Sequence, residues 1–283
     1  MDATEMPGPG SLHWRYGGDR RGYLLLVRAG LLQLMHPGLG AGVEQHSDFF
    51  NEPWQRVLRS VPQIQGTTFD WPEGGATARK IRDYHTEIKG IDQQGRRYHA
   101  LDPEVYFWAH ATIFDALFQS IDMFGKPLSE ADKDRLYAEG CEIYRAYGVS
   151  DRVMPPNWPS FQAYFDRMCR ERLEITPAAQ ALIDFSKNPP KEFPLVPAPI
   201  YRLLRKPSGN LLWWLSVGTL PASVRERIGE SWTDADQRRF DRVRRVVSSG
   251  WSAVPSRLRH TARARQGYLR TGSGPEVASR LTV

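Results

Sequence analysis

At 283 residues, 41% hydrophobic and 25% charged, the chain has enough apolar material to bury a large core, which excludes a disordered or fibrous protein. Two cysteines, Cys141 and Cys169, are too few for a disulfide scaffold or a cysteine-built metal site, and they suit a reducing compartment. The formal charge of +6 sits at the C-terminus, where eleven arginines from Arg238 onward face two acids, Asp241 and Glu276. Solvated arginines on a last helix and a frayed end explain that excess more simply than contact with nucleic acid or anionic lipid. The first residues are acidic and rich in Pro and Gly, without a cationic and then apolar run, and no apolar stretch is long enough to span a bilayer. A soluble, cytoplasmic protein is expected.

Residues 1–18 read as a flexible lead-in. A helix is expected over 19–35, carrying Leu24, Leu25, Val27, Leu31, Leu32 and Leu34, and stopped by His36-Pro37-Gly38. Shorter helices follow over 43–50 and 53–60, then a strand or extended loop over 63–71. Glu73-Gly74-Gly75 breaks the chain before a helix over 76–89, with Gly90 as its C′ residue. Residues 93–96 make a turn. Asp102-Pro103-Glu104 is a helix start with Asp as N-cap and Pro in the first turn, and the helix should reach Phe124. It is apolar on nearly every side, which places it in the middle of the fold.

Further helices are expected from Ser129 to Tyr147 and over 160–172, 177–186, 221–229 and 233–248. The five prolines within 188–199 make an extended connector, but the apolar stretch 200–214 returns to the same core. The fold class is therefore all-α, with one mainly helical domain over 19–259 and a basic, disordered tail over 260–283.

Reactive-centre spacing is sparse. Arg82, His85 and Thr86 are related by i, i+3 and i+4, so a helix would project them from one face. Such a trio could serve a haem: imidazole is an iron ligand, Arg pairs with a propionate or a developing negative charge, and a Thr hydroxyl can hydrogen-bond an oxidant. The plain alternative is a solvated helix face. His110 lies among Tyr106, Phe107, Ile113 and Phe114 at helical spacing, so its ring is buried and needs a carbonyl, a carboxylate or a metal as partner. A satisfied core histidine and a metal ligand both meet that need. His36 beside Pro37 reads as a helix-end residue able to cap carbonyls, His46 and His99 as surface residues, and His260 as part of the tail. HExxH, GxSxG and P-loop patterns do not occur, and the Gly-rich stretches lack the βαβ context of a dinucleotide site.

Motifs in a fixed order now identify a relationship. Leu32-Gln-Leu-Met-His-Pro37 is followed by Arg82-x-x-His85-Thr86-x-x-x-Gly90, then Gly95-x-x-Tyr98-x-Ala100-x-Asp102-Pro103, then Trp108-x-His110-Ala-Thr112. Pro127-Leu128-Ser129, Tyr137-x-Glu139, Met154-Pro155 and Leu220-Pro221 come later. Together they resemble the rubber-oxygenase (latex clearing protein) and MpaB oxygenase family over roughly residues 14–260. The resemblance implies a globin-like helical core and haem b, with His110 as the proximal iron ligand and His85 where rubber oxygenases carry a distal lysine. It also implies a glutamate base before the Arg82 helix, for which Glu73 is the nearest candidate.

The resulting expectation is a haem b-dependent oxygenase or oxidoreductase acting on a hydrophobic small molecule, with dioxygen or peroxide and an electron donor as partners. Arg82, His85 and Thr86 would be catalytic. His110, His85, Arg82, Phe107 and Phe114 would bind the cofactor, and His110 and His85 would be the metal ligands. A non-catalytic haem protein (sensor, store or electron carrier) with bis-histidine ligation is the alternative. A helical protein without metal is a third reading.

Overall fold

The computed structural model describes residues 6–51, 53–189 and 198–272. These residues form a mainly helical protein with one small hairpin. The helices are α1 (Leu12–Gly17), α2 (Leu26–Leu34), α3 (Pro37–His46), α4 (Pro53–Phe69), α5 (Gly74–Asp83), α6 (Pro103–Phe124), α7 (Glu130–Ala146), α8 (Trp158–Glu171), α9 (Pro177–Lys187), α10 (Ala198–Thr219), α11 (Ala222–Arg227), α12 (Asp234–Gly250), α13 (Ser256–Arg259) and α14 (Ala262–Arg270). Short 3-10 turns complete them at Arg20–Leu25, Asp48–Phe50 and Trp251–Ala253. The hairpin pairs β1 (Lys89–Ile91) with β2 (Arg97–His99), antiparallel, around a turn in which Gly95 takes a left-handed φ of 79°.

Helix α6 is the axis of the molecule, and α1, α2, α3, α7 and α12 pack directly against it. Its start is the expected one: the Asp102 carboxylate accepts the Glu104 N–H at 2.9 Å and Pro103 opens the first turn. Because it is apolar all round, it can accept neighbours on every side, and Phe107, Trp108, Phe118 and Phe124 are wholly enclosed. Ser129 caps α7, and Thr233 with Asp236 forms a reciprocal capping box on α12.

The structure departs from the expected elements in four places. Residues 63–69 are helical, the C-terminal part of α4. Packing of Phe69 against Trp14 and Tyr268 overrides the strand preference of Thr67 and Thr68. Helix α3 starts at Pro37, earlier than expected, with Pro in the first turn. Helix α5 stops at Asp83, so His85 and Thr86 follow it in a turn and Gly90 belongs to β1. The expected boundaries at 18 and 260 do not mark breaks in packing. Ser11 caps α1, Thr261 caps α14, and the Tyr268 hydroxyl donates to the Trp14 carbonyl at 2.8 Å, tying the two ends of the chain together. His260 is fully buried beneath that junction. Most of the Pro-rich connector lies outside the described residues.

Candidate functional site

The aromatic centre of the molecule forms where α6 meets α7. His110 donates from Nε2 to the Gly140 carbonyl on α7 at 3.1 Å. A carbonyl only accepts, so this bond fixes the tautomer: Nε2 carries the proton and Nδ1 holds the lone pair. Burial pushes the His110 imidazole down to about 4, against the small upward pull of that carbonyl, so the ring is neutral at physiological pH. Phe114 stacks on it at 5.9 Å and 14°, with Tyr144 at 5.3 Å and Tyr147 at 6.1 Å completing the enclosure.

On the Gly140 side, Phe107, Phe114, Tyr137, Cys141, Met154 and Phe161 close in around the ring. They leave about 170 Å³ of free space, nowhere wide enough for a water molecule. A porphyrin has no room there. His110 itself is half-buried.

Gly140 makes this packing possible. A Cβ on it would lie 2.3 Å from the Phe114 ring, and Phe114 is itself boxed in by Phe118, Tyr137 and Phe161. Gly140→Ala is therefore expected to destabilise by about 1–3 kcal/mol through overpacking. In a helix with open space the same change would stabilise by about 1 kcal/mol. Urea unfolding gives the sign.

Another histidine keeps the same company. His13, on α1, stacks on Phe114 at 5.9 Å and 6°. Burial, with a smaller contribution from the nearness of His110, pushes its imidazole down to about 3. Its position is fixed because the Glu139 carboxylate on α7 accepts the backbone N–H groups of Leu12 and His13 at 3.1 and 2.8 Å. Sequence reasoning placed this residue in a flexible lead-in. The available signal was Ser11, an N-cap residue directly before Leu12-His13-Trp14.

The trio Arg82, His85 and Thr86 is not presented on one helical face, because α5 has already ended. Arg82 pairs with Asp83 at 2.6 Å and remains partly exposed. The Thr86 hydroxyl donates to the Asp83 carbonyl and faces outward. His85 donates from Nδ1 to the Ile81 carbonyl at 2.8 Å, which leaves the lone pair on Nε2. Contact from His85 to His110 runs through two tyrosines: His85 meets Tyr106 edge-on at 5.8 Å, Tyr106 meets Tyr147 at 5.3 Å, and Tyr147 meets His110. Glu73, the candidate base, is exposed at the start of α5. Phe107 and Phe114 both lie against His110, as expected.

His36 stands at the N-terminus of α3, where it caps nothing, and both ring nitrogens are buried without a partner among the described residues. His46 and His99 bond the Lys89 and Thr86 carbonyls near the surface. No group of three or more His, Cys, Asp or Glu positioned for a metal ion exists among the described residues. Among them, too, no single helix is long and apolar enough to cross a membrane.

Comparison with known proteins adds a family. A model described as ER-bound oxygenase mpaB/B'/rubber oxygenase, catalytic domain, matches residues 14–249. An uncharacterized protein of Mycobacterium bovis is 22% identical over 233 residues, which cover 80% of this chain and 88% of the relative. An uncharacterized protein of Mycobacterium tuberculosis matches to the same extent. No solved structure matches the chain.

Proposed function

Because this chain belongs to the mpaB and rubber oxygenase catalytic-domain family, we propose that it is an oxygenase that acts on a hydrophobic small molecule with haem b held at His110. The observation that carries this reading is the carbonyl-fixed tautomer of His110. A metal-ligating histidine donates its other ring N–H to a backbone carbonyl or carboxylate, and the Gly140 carbonyl serves His110 in that way. The ring is also neutral and set among aromatic side chains, as a haem ligand requires. The donor chemistry of His110 suits a haem iron, but the packed space beside its ring leaves a porphyrin no room in this structure. When bound, haem b would supply the dioxygen or peroxide chemistry that side chains cannot perform.

The chain's own residues do the rest. Phe107 and Phe114 hold the His110 ring in place and exclude water, which suits an apolar substrate. Arg82, partly exposed beside Gly148 at the end of α7, would pair with an acidic group at the edge of the site. His85, with its lone pair on Nε2, would accept or return a proton. Thr86 holds the turn after α5 through Asp83. A clasp of one metal by both His85 and His110 is not part of this reading, since Tyr106 and Tyr147 link the two rings. Dioxygen or a peroxide is the co-substrate, with an electron donor where the reaction requires one. The buried free thiols of Cys141 and Cys169 agree with a cytoplasmic setting.

The test is spectroscopic. Protein produced with iron and a haem precursor is expected to show a Soret band, and His110→Ala is expected to lose it along with bound haem. An unchanged band in that variant removes His110 from the role. Carbon monoxide should bind the reduced wild-type protein directly; failure to bind it would remove the open iron position that oxygenation requires.

A further inference from the structure

We propose that the outer face of α12 docks the protein on an anionic lipid bilayer, through a stripe of arginines that bind lipid phosphates. Arg238, Arg242 and Arg245 are all exposed and are related by i, i+4 and i+7, so they share one face of the helix. That face is not part of a frayed end. The Thr233 and Asp236 capping box starts the helix, and its inner side is held by the core: Phe240 meets Trp214 and Trp232, and Val247 packs against the cluster of Leu25, Ala29, Ala116 and Phe124. Arg242 and Arg245 bond the backbone carbonyls of Arg238 and Asp241, and none of the three arginines forms an ion pair among the described residues. The nearby Asp241 carboxylate accepts from Gln237 instead. Elsewhere Arg172, Arg263 and Arg270 each reach a carboxylate. Like charges three and four residues apart destabilise a helix, so the stripe is better matched by an external anionic surface than by its own neighbours.

The chemistry of that surface follows from the side chains. All eleven positively charged residues from Arg238 onward are arginine, with no lysine among them. A guanidinium presents a planar fork that matches two phosphate oxygens, which an ammonium does not. Lipid headgroups and nucleic acids both carry phosphate, and Val246 separates them. Val246 follows Arg242 by four residues, so it borders the stripe, and at 73% exposed it is the most exposed large hydrophobic residue among those described. An apolar side chain among arginines gains nothing from a phosphate backbone in water, whereas a bilayer interface buries it. A face resting on a bilayer would bring the proposed oxygenase to where an apolar substrate dissolves. The docking proposal itself needs neither haem nor His110, and a protein without a Soret band tests it equally well.

The experiment is sedimentation of the full chain with vesicles, either of phosphatidylcholine alone or of phosphatidylglycerol and phosphatidylcholine in equal parts. Binding is expected to the mixed vesicles and to fall steeply between about 0.1 and about 0.5 M salt. Arg238→Gln, Arg242→Gln and Arg245→Gln together should weaken it by on the order of a hundredfold. Neutralising the exposed Arg79, Arg97 and Arg152 removes the same charge from other parts of the surface and should weaken it by less than about fivefold. Val246→Ser should weaken vesicle binding by about threefold. All of these side chains are exposed, and circular dichroism checks that each variant keeps its helices. Equal losses in the two triple variants, or no binding to the mixed vesicles, overturn the proposal. Tighter binding to double-stranded DNA than to the vesicles at the same salt, unaffected by Val246→Ser, assigns the face to nucleic acid and overturns it as well.

Discussion

Asp115→Ala is expected to cost about 3–5 kcal/mol of folding stability, among the largest effects of any single substitution in this protein. Asp115 lies on α6 with its carboxylate bonded to the Arg28 guanidinium of α2, and both side chains are almost wholly buried. Burial pushes the Asp115 carboxyl up, and Arg28 beside it opposes that shift. Arg28 also donates from Nε to the Thr219 carbonyl at the end of α10 at 2.9 Å, and its guanidinium lies 5.7 Å from the Phe165 ring. One guanidinium thus joins α2, α6, α8 and α10. Removal of the carboxylate leaves a buried positive charge without its partner, and that uncompensated charge is the source of the cost. The interaction itself contributes much less than the cost of breaking it. Arg28→Met combined with Asp115→Leu removes both charges and keeps apolar volume, so the double variant should recover most of the loss. Urea unfolding followed by circular dichroism measures all three proteins. A double variant no more stable than Asp115→Ala would show that shape, rather than the unpaired charge, sets the penalty.

Helices whose limits are set by their own sequence were legible in advance. The start of α6 follows from Asp102-Pro103-Glu104, and its end at Phe124 from Gly125, both visible without any tertiary partner. The same holds for Ser129 on α7 and Thr233 on α12. The stop of α5 was not legible, because the helical pattern runs on toward Lys89. The structure ends it early by two means. The Thr86 hydroxyl bonds the Asp83 carbonyl, a local competitor to the helix, and the next residues join β2 instead. That is why the expected face of Arg82, His85 and Thr86 does not form. His110 could be picked out because its helical neighbours are all apolar. Its partner could not, since the Gly140 carbonyl is a backbone group and any residue supplies one. His13 was missed for a related reason: its closeness to His110 depends on Glu139 holding α1 against α7, a contact between distant parts of the chain.

The protein is expected to lose stability steeply as the pH falls from 6.5 toward 4, because the imidazoles of His13, His36 and His110, and by a smaller shift that of His260, are folded in the neutral form. Burial is the first cause in each case, lowering His13 to about 3 and His36 and His110 to about 4 from an ordinary value of 6.5. Arg172 and Arg96 add to the effect at His36, and its place at the N-terminus of α3 opposes a positive charge as well. In the unfolded chain these rings take up protons near pH 6.5, whereas in the folded protein they do so only near or below 4. Between those limits the unfolded state binds more protons, so stability increases with pH; it is fully present above 6.5 and lost on acidification. The three larger shifts give a slope of up to about 4 kcal/mol per pH unit near pH 5, spread somewhat because charging either His13 or His110 resists charging the other. Asp115 and Asp122, both pushed up by burial, act in the opposite direction as the pH rises from the ordinary carboxylate value of 3.8. Melting temperatures recorded across this range should be flat above pH 6.5 and fall sharply below it. His36→Gln keeps a neutral polar side chain without the titration, so its slope should be shallower by about a third. A variant curve parallel to that of the wild type would show that His36 takes no part, and a flat wild-type curve down to pH 4.5 would show that these rings are not held neutral by the fold.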